Sequence, residues 1–405
     1  MAAPLVQAHG VQYLLAAGIL AGAMQMVFGW LRLGVLLRFV SGSVRTGFVN
    51  ALALLIFWAQ MPHLLGANLA TWAMVAAGLL IIYGLPYATK AIPSPLVCIV
   101  VLTLVAHVLN LPLKTVADLG LLPDALPSFG LPEVPFTWHT LQLIALPALA
   151  IAMVGLLESL MTASVVDELT DTPSGKNREA TGLGLANVAS SFFGGIAGCG
   201  MIGQTVSNVR YGGRGRLSTL FAGVFLLILM VLLKPWVAQV PVAALVAIMV
   251  MVSVSTFDWG SARALLRHPK LSSAVMLATV AVTVATDNLA AGVAVGVLLS
   301  GVFFTVKVSR LLSVEATGEA TRVYRVRGQI FFASADLLVD AFDVREIEGR
   351  PVVLELSEAH FWDITAVQAL DKVCQRLRKH GSQVALQGLN ARSRALADQL
   401  DLDFS

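Results

Sequence analysis

A chain of 405 residues that is 57% hydrophobic and only 13% charged stands well apart from soluble domains, in which about 25% of residues are charged, and is read as an integral membrane protein. The formal net charge of +3 does not point to nucleic acid, because the basic residues lie in loops between apolar runs. Three cysteines, Cys98, Cys199 and Cys374, cannot all pair and have no ligand spacing, so they are expected to be small buried residues, with no metal and no cofactor.

The first residues, Met1 to Val6, have no basic n-region and are not read as a secretory signal peptide. A spanning helix needs about 20 apolar residues. That rule predicts spans at 11–31, 46–66, 68–86, 94–111, 140–163, 217–234, 241–256, 271–286 and 289–307. Two shorter pieces, 181–194 and 203–211, flank a glycine-rich break within Ser191–Arg210. Lipid offers no water to exposed backbone groups, so irregular chain at membrane depth is tolerated only where it lines a protein cavity. A short helix opening from such a break can hold an anion with its N-terminal amides and the positive end of its dipole.

Loop charge predicts the orientation. With the C-terminal tail in the cytoplasm, Arg32, Arg38, Arg45, Lys90, Lys176, Arg178, Arg210, Arg214, Arg216, Arg263, Arg267, Lys270, Lys307 and Arg310 fall on the inner side. Only Lys114 and Lys234 fall outside, with Asp118, Asp124 and Glu133 in the long exterior loop 112–139. That asymmetry follows the positive-inside rule. A mixed-charge loop of Asp167, Glu168, Asp171, Lys176, Arg178 and Glu179 is expected on the inner side, with Asn177–Glu179 capping the helix that follows.

Residues 1–310 hold ten acidic side chains and 311–405 hold fourteen, so a membrane domain (1–310) precedes a dense polar domain (320–405). In the tail, 322–328, 351–356 and 383–386 read as strands, and 366–378 and 392–400 as helices. That is a small α/β module.

Glu158 lies deep in the span 140–163. A carboxylate there costs about 2.5–3.5 kcal/mol on insertion scales and is expected to face a cavity or a partner. It could take up a proton together with an anion, or serve as a structural carboxylate. Thr162, at i+4, shares its helix face. Gly200, Met201, Ile202, Gly203, Gln204 and Thr205 form the turn into the short helix, with backbone amides as anion donors and Gln204 and Thr205 as neutral side-chain donors. Glycines that only let helices pack closely are the plainer alternative. In the tail, Asp363 suits an N-cap, and Thr365 sits where an added phosphate would be favourable.

Several of these segments resemble the sulfate permease (SulP) family of anion carriers. Arg38–Phe48 is similar to the start of its fifth helix and Gly155–Thr162 to its eighth. Asn177–Glu179 with Gly182–Asn187 is similar to its ninth, and Ser191–Arg210 with Gly212–Ser218 to its tenth helix and exit. Residues 320–405 resemble the STAS domain that follows the membrane body in this family. The resemblance implies an all-α polytopic membrane domain of two inverted seven-segment repeats, then a small α/β STAS domain. A core domain would move elevator-like against a gate domain in a homodimer, in the inner membrane with the STAS domain cytoplasmic.

The chain begins just before the match to the fourth helix, so the expected fold is N-terminally incomplete. The family's third and tenth helices point their N-termini at the anion. A chain holding only the tenth is expected to lack half the cradle and not to transport, and coding sequence for three more apolar runs is expected upstream of Met1. Sulfate comes first among the implied substrates, then bicarbonate or a dicarboxylate, with proton or sodium coupling. Many relatives carry arginine where Gln204 stands. Sodium-dependent bicarbonate members have aspartate for Glu158, a hydroxyl like Thr162, and another hydroxyl where Ile202 stands, so a full sodium site is not expected. The loop holding Asp363 and Thr365 resembles the one phosphorylated in bacterial anti-sigma antagonists. A nucleobase carrier, which would leave the tail unexplained, and a non-transporting membrane sensor are the alternatives.

Overall fold

The structure, a computed structural model, describes residues 2–34, 40–89, 92–120, 126–265, 267, 270–318, 321–343 and 349–398. Arg38, Lys90, Asp124 and the end of the predicted helix 392–400 lie outside these residues. The chain divides into two compact units, Met1–Val297 and Leu298–Ser405.

In the first unit, α1 (Ala2–His9), α2 (Val11–Trp30), α7 (Trp138–Thr170), α8 (Lys176–Phe192) and α9 (Ile202–Arg210) pack together. A second bundle is built from α3 (Gly42–Trp58), α4 (Met61–Leu64), α5 (Leu69–Ala88), α6 (Ser94–Val108), α12 (Val242–Thr256) and α14 (Lys270–Thr286). The remaining helices are α10 (Arg216–Val231), α11 (Lys234–Ala238), α13 (Trp259–Ala264) and α15 (Leu289–Ser309), the last running across the division. Among the described residues, five helices are long and apolar enough to cross a membrane: Val11–Trp30, Gly42–Leu64, Leu69–Ala88, Trp138–Thr170 and Leu289–Ser309. Four shorter apolar helices, α6, α10, α12 and α14, match the other predicted spans.

Each bundle has its own apolar core. Leu14, Ala17 and Ala21 of α2 pack with Ile144, Ala148 and Ala152 of α7, whereas Met74, Val75, Cys98 and Leu102 pack with Val242–Ala247 in the second. Lipid gives helices no hydrophobic reason to associate, so close contact between small residues does that work. The α2–α8 seam shows it. A Cβ at Gly22 would lie 2.6 Å from the Gly184 carbonyl and 2.7 Å from Val188, and one at Gly184 would collide with the Gly22 carbonyl.

The stretch between α6 and α7 is tied to both bundles. At its start, Val116 N donates to Val240 O (3.0 Å), Val242 N to Lys114 O (2.9 Å) and Asn68 Nδ2 to Pro112 O (2.9 Å). Further on, Gly130 N donates to Phe192 O (2.8 Å), Glu133 N to Gln12 Oε1 (3.1 Å), and Phe129 stacks on Phe192.

The mixed-charge loop expected after span 140–163 is mostly helical. At 33 residues, α7 is about 50 Å long at 1.5 Å per residue, which exceeds the about 30 Å hydrocarbon core. Its polar last turns therefore extend beyond the apolar layer and hold Asp167 and Glu168. Asp171 closes the helix in the left-handed region (φ 51°), and Lys176 opens α8 while pairing with Asp167 at 2.7 Å. Asn177 does not cap α8, since its Oδ1 accepts from Gly34 N at 2.9 Å.

The second unit is a four-stranded sheet in the order β1 (Ser313–Thr317), β2 (Arg322–Ile330), β3 (Val352–Phe361) and β4 (Val384–Gln387). β1 runs antiparallel to β2, and β2, β3 and β4 are parallel. α16 (Ala335–Asp340), α17 (Ile364–Lys379) and α18 (Ala391–Asp398) supply the rest. Tyr324, Val326, Leu354 and Leu356 pack against Leu370, Val373, Cys374 and Leu377 of α17 in one core. On strand residues of the opposite parity, Arg325 pairs with Glu355 at 2.8 Å and holds that carboxyl below its usual range.

Asp363 is the N-cap of α17, accepting from Ala366 N at 2.9 Å, and its other oxygen accepts from Phe332 N at 2.8 Å. Thr365, in the first turn, is exposed. Asp363→Ala removes a cap and a loop tie, so the tail should lose about 1–3 kcal/mol. Hydrogen exchange at the amides of Ala366 and Phe332 should then speed up, with Asp363→Asn close to the parent.

Candidate functional site

The glycine-rich break is real and its position is fixed. α8 ends at Phe192, α9 starts at Ile202, and 193–201 between them is not helical. α7 grips this segment through one face. Ser159 Oγ accepts from Gly200 N at 2.8 Å, Thr162 Oγ1 donates to Gly200 O at 2.6 Å, and Glu158 Oε2 accepts from the Cys199 thiol at 2.9 Å. One residue's amide and carbonyl are thus both held by side chains one helical turn apart.

From the other side the clamp is Asn187 of α8. Its Oδ1 accepts from Gly198 N at 2.8 Å, and its Nδ2 donates both to Gly198 O (3.1 Å) and to Gln25 Oε1 (2.8 Å). Gln25, fully buried in α2, donates in turn to Ala152 O of α7 at 3.3 Å. Three helices are therefore tied through two amide side chains to the peptide groups at 198. Chain without its own ladder needs such partners wherever water is scarce.

The predicted residues come together. Glu158, 8% exposed, and Thr162 both lie against 199–200. Met201 is the N-cap residue of α9, with no side-chain cap, and the first-turn amides of Ile202, Gly203 and Gln204 have no acceptor among the described residues. Gly203 and Gln204 are exposed. This is the anion-ready end of a helix.

Three expectations change. The amide of Gly200 is already bonded to Ser159, so the free donors begin beyond it. Thr205 commits its hydroxyl hydrogen to Met201 O at 2.8 Å, the usual back-bond of a helical threonine, leaving Gln204 as the neutral side-chain donor. Cys98 and Cys374 are buried, but Cys199, in the non-helical break, is exposed although its thiol is bonded to Glu158 of α7.

Asn187 and Gln25 carry their side of the clamp although no role was expected for either. The available signal was an uncharged amide in the middle of an apolar run, which lipid tolerates when it has a partner on another helix.

The sulfate permease family profile matches residues 2–77 and 67–279, and the STAS domain profile matches 312–405. YbaR of Bacillus subtilis, named as a candidate sulfate transporter, is 50% identical over 397 residues, covering 98% of this chain and 83% of YbaR. The bicarbonate transporter BicA of Synechocystis sp. is 26% identical over 441 residues, covering 97% of this chain and 77% of its own. Among solved structures, murine solute carrier 26 family member A9, an anion transporter in the inward-facing state, shares the fold. Its TM-score is 0.78 at 18% identity, over 97% of this chain and 72% of that one. The transmembrane domain of a cyanobacterial BicA gives a TM-score of 0.61 at 28% identity, over 72% and 79%. The helical unit is accordingly a multi-pass membrane domain, and the chain is no enzyme: it belongs to the sulfate permease family of transporters and carries a C-terminal STAS domain.

Proposed function

We propose that the protein is a secondary active carrier of inorganic anions, with sulfate as first substrate, working by elevator-like alternating access as a homodimer in the inner membrane. The observation that supports it most is Gly200, held at both its amide and its carbonyl by α7. That grip presents the unpaired first turn of α9 beside the carboxyl of Glu158. The anion binds to the amides of Ile202, Gly203 and Gln204 and to the Gln204 side chain, with the helix dipole supplying positive potential. Glu158 takes up the coupling proton, which removes its repulsion of the anion. Thr162 acts by holding Gly200. The bundle containing α2 and α7–α9 carries every one of these groups and moves as one body past the second bundle.

Bicarbonate is the second reading. The site offers amides and a dipole with no fixed cation among its described residues, which suits a singly charged anion, and BicA is similar over nearly the whole chain. Uptake of radiolabelled sulfate and bicarbonate into proteoliposomes, by protein expressed from its complete reading frame, separates the two. Uptake of neither by folded protein would leave the membrane-sensor reading in its place.

Glu158→Gln is expected to keep the fold and to make sulfate uptake independent of external pH. Initial rates measured across a pH series check this, and an unchanged pH profile ends the proton role.

A further inference from the structure

The C-terminal unit holds a polar site that transport does not use. Beyond the carboxyl ends of β2 and β3, where open α/β sheets commonly place ligands, a cavity of about 410 Å³ is lined by Gln329, His360, Trp362, Asn390, Arg392 and Ser393. Its size falls within the about 300–1,000 Å³ of small-molecule sites.

The side-chain oxygens of the two amides are already engaged. Gln329 Oε1 accepts from Trp362 Nε1 at 2.8 Å, and Asn390 Oδ1 accepts from Ser393 N at 2.8 Å. Asn390 Nδ2 donates to Ala359 O at 3.0 Å and meets His360 Nδ1 at 3.4 Å. An amide NH₂ can only donate, so this contact makes Nδ1 the acceptor and leaves the ring hydrogen on Nε2. Ser393 is 2% exposed, and its Oγ accepts from Phe361 N at 3.3 Å. The Ser393 hydroxyl hydrogen has no acceptor among the described residues, which for so buried a group calls for a partner. The groups left over are Gln329 Nε2, His360 Nε2–H, the Ser393 hydroxyl and the Arg392 guanidinium. All are donors, one carries a fixed positive charge, and no carboxylate among the described residues lines the cavity.

The geometry points to an oxyanion site in this cavity, taking sulfate, phosphate or the phosphate group of a small ester. A guanidinium beside neutral N–H and O–H donors matches such a group in both charge and hydrogen bonding. No residue of this cavity belongs to the transport site, so the two assignments stand or fall separately.

Trp362, 57% exposed, is the single tryptophan of residues 298–405 and reports on the cavity. The full chain in detergent is titrated with sodium sulfate, sodium phosphate and glycerol 3-phosphate at constant ionic strength while tryptophan fluorescence is followed. A saturable change is expected that vanishes in Trp362→Phe. Its half-saturation should rise about tenfold in Arg392→Gln, the loss of one charge-assisted hydrogen bond, and also rise in Ser393→Ala. A response to the inorganic anions assigns a free oxyanion, and a response to glycerol 3-phosphate alone assigns the ester. No Trp362-dependent response to any of the three, or one that Arg392→Gln leaves unchanged, overturns the site. Thermal melts confirm that the variants are folded, and His360→Gln tests the same donor set should Arg392→Gln unfold.

Discussion

Asn187→Leu is expected to lower stability by about 2–5 kcal/mol and initial uptake by roughly 100-fold. The substitution removes three hydrogen bonds at once and strands the Gln25 oxygen and both peptide groups of Gly198. A buried polar group left without its partner costs about 1–3 kcal/mol. The kinetic loss comes from position: a shift of about 1 Å in a binding element far from the chemistry can cost about 10²-fold, and Asn187 fixes the chain two residues before Gly200. Thermal midpoints in detergent and uptake per folded protein give the two readouts. Adding Gln25→Leu should recover part of the stability but not the uptake, because it removes the stranded oxygen without restoring the clamp. Parent-like midpoint and uptake in the single variant would refute the clamp.

Gly22→Val is expected to prevent the core bundle from assembling. The Cβ alone would sit 2.6 Å from the Gly184 carbonyl, 2.7 Å from Val188 Cγ2 and 2.9 Å from Val188 N. Two of those neighbours are backbone, so α2 and α8 must separate along a seam that also carries the Gln25–Asn187 bond. Overpacking costs about 1–3 kcal/mol, occasionally more, and here the loss of the amide network is added. Size-exclusion chromatography should show little monodisperse protein, whereas Gly223→Val, with open space around its Cβ, should behave as the parent.

The spans were legible because lipid imposes one simple demand, a long apolar run, and 11–31, 68–86 and 289–307 each meet it. The break was legible from the glycines of 194–203, which neither favour helix nor fill a core. The tail's inner strands show the apolar alternation that burial on one face requires. β1 did not, because Ser313–Thr317 is an edge strand with almost every residue exposed, and burial leaves no pattern there. α16 was too short at six residues. The end of α7 was misread because charge was equated with loop, although an ion pair to Lys176 suits a helix end as well. Least legible was the clamp itself. Gln25 and Asn187 lie 162 residues apart, and no local spacing rule reaches across that distance.

The stretch between α6 and α7 is fastened at 112–116 to one bundle and at 129–133 to the other. For a carrier that slides one body past its neighbour, such a connection is a leash, and the length of chain between its two ties bounds the path the stroke can add. A dozen residues reach roughly 40 Å at full extension, which is the upper limit that residues 117–128 set on the separation of the two ties. Trimming those residues should shorten the permitted travel while leaving the affinity for the anion alone.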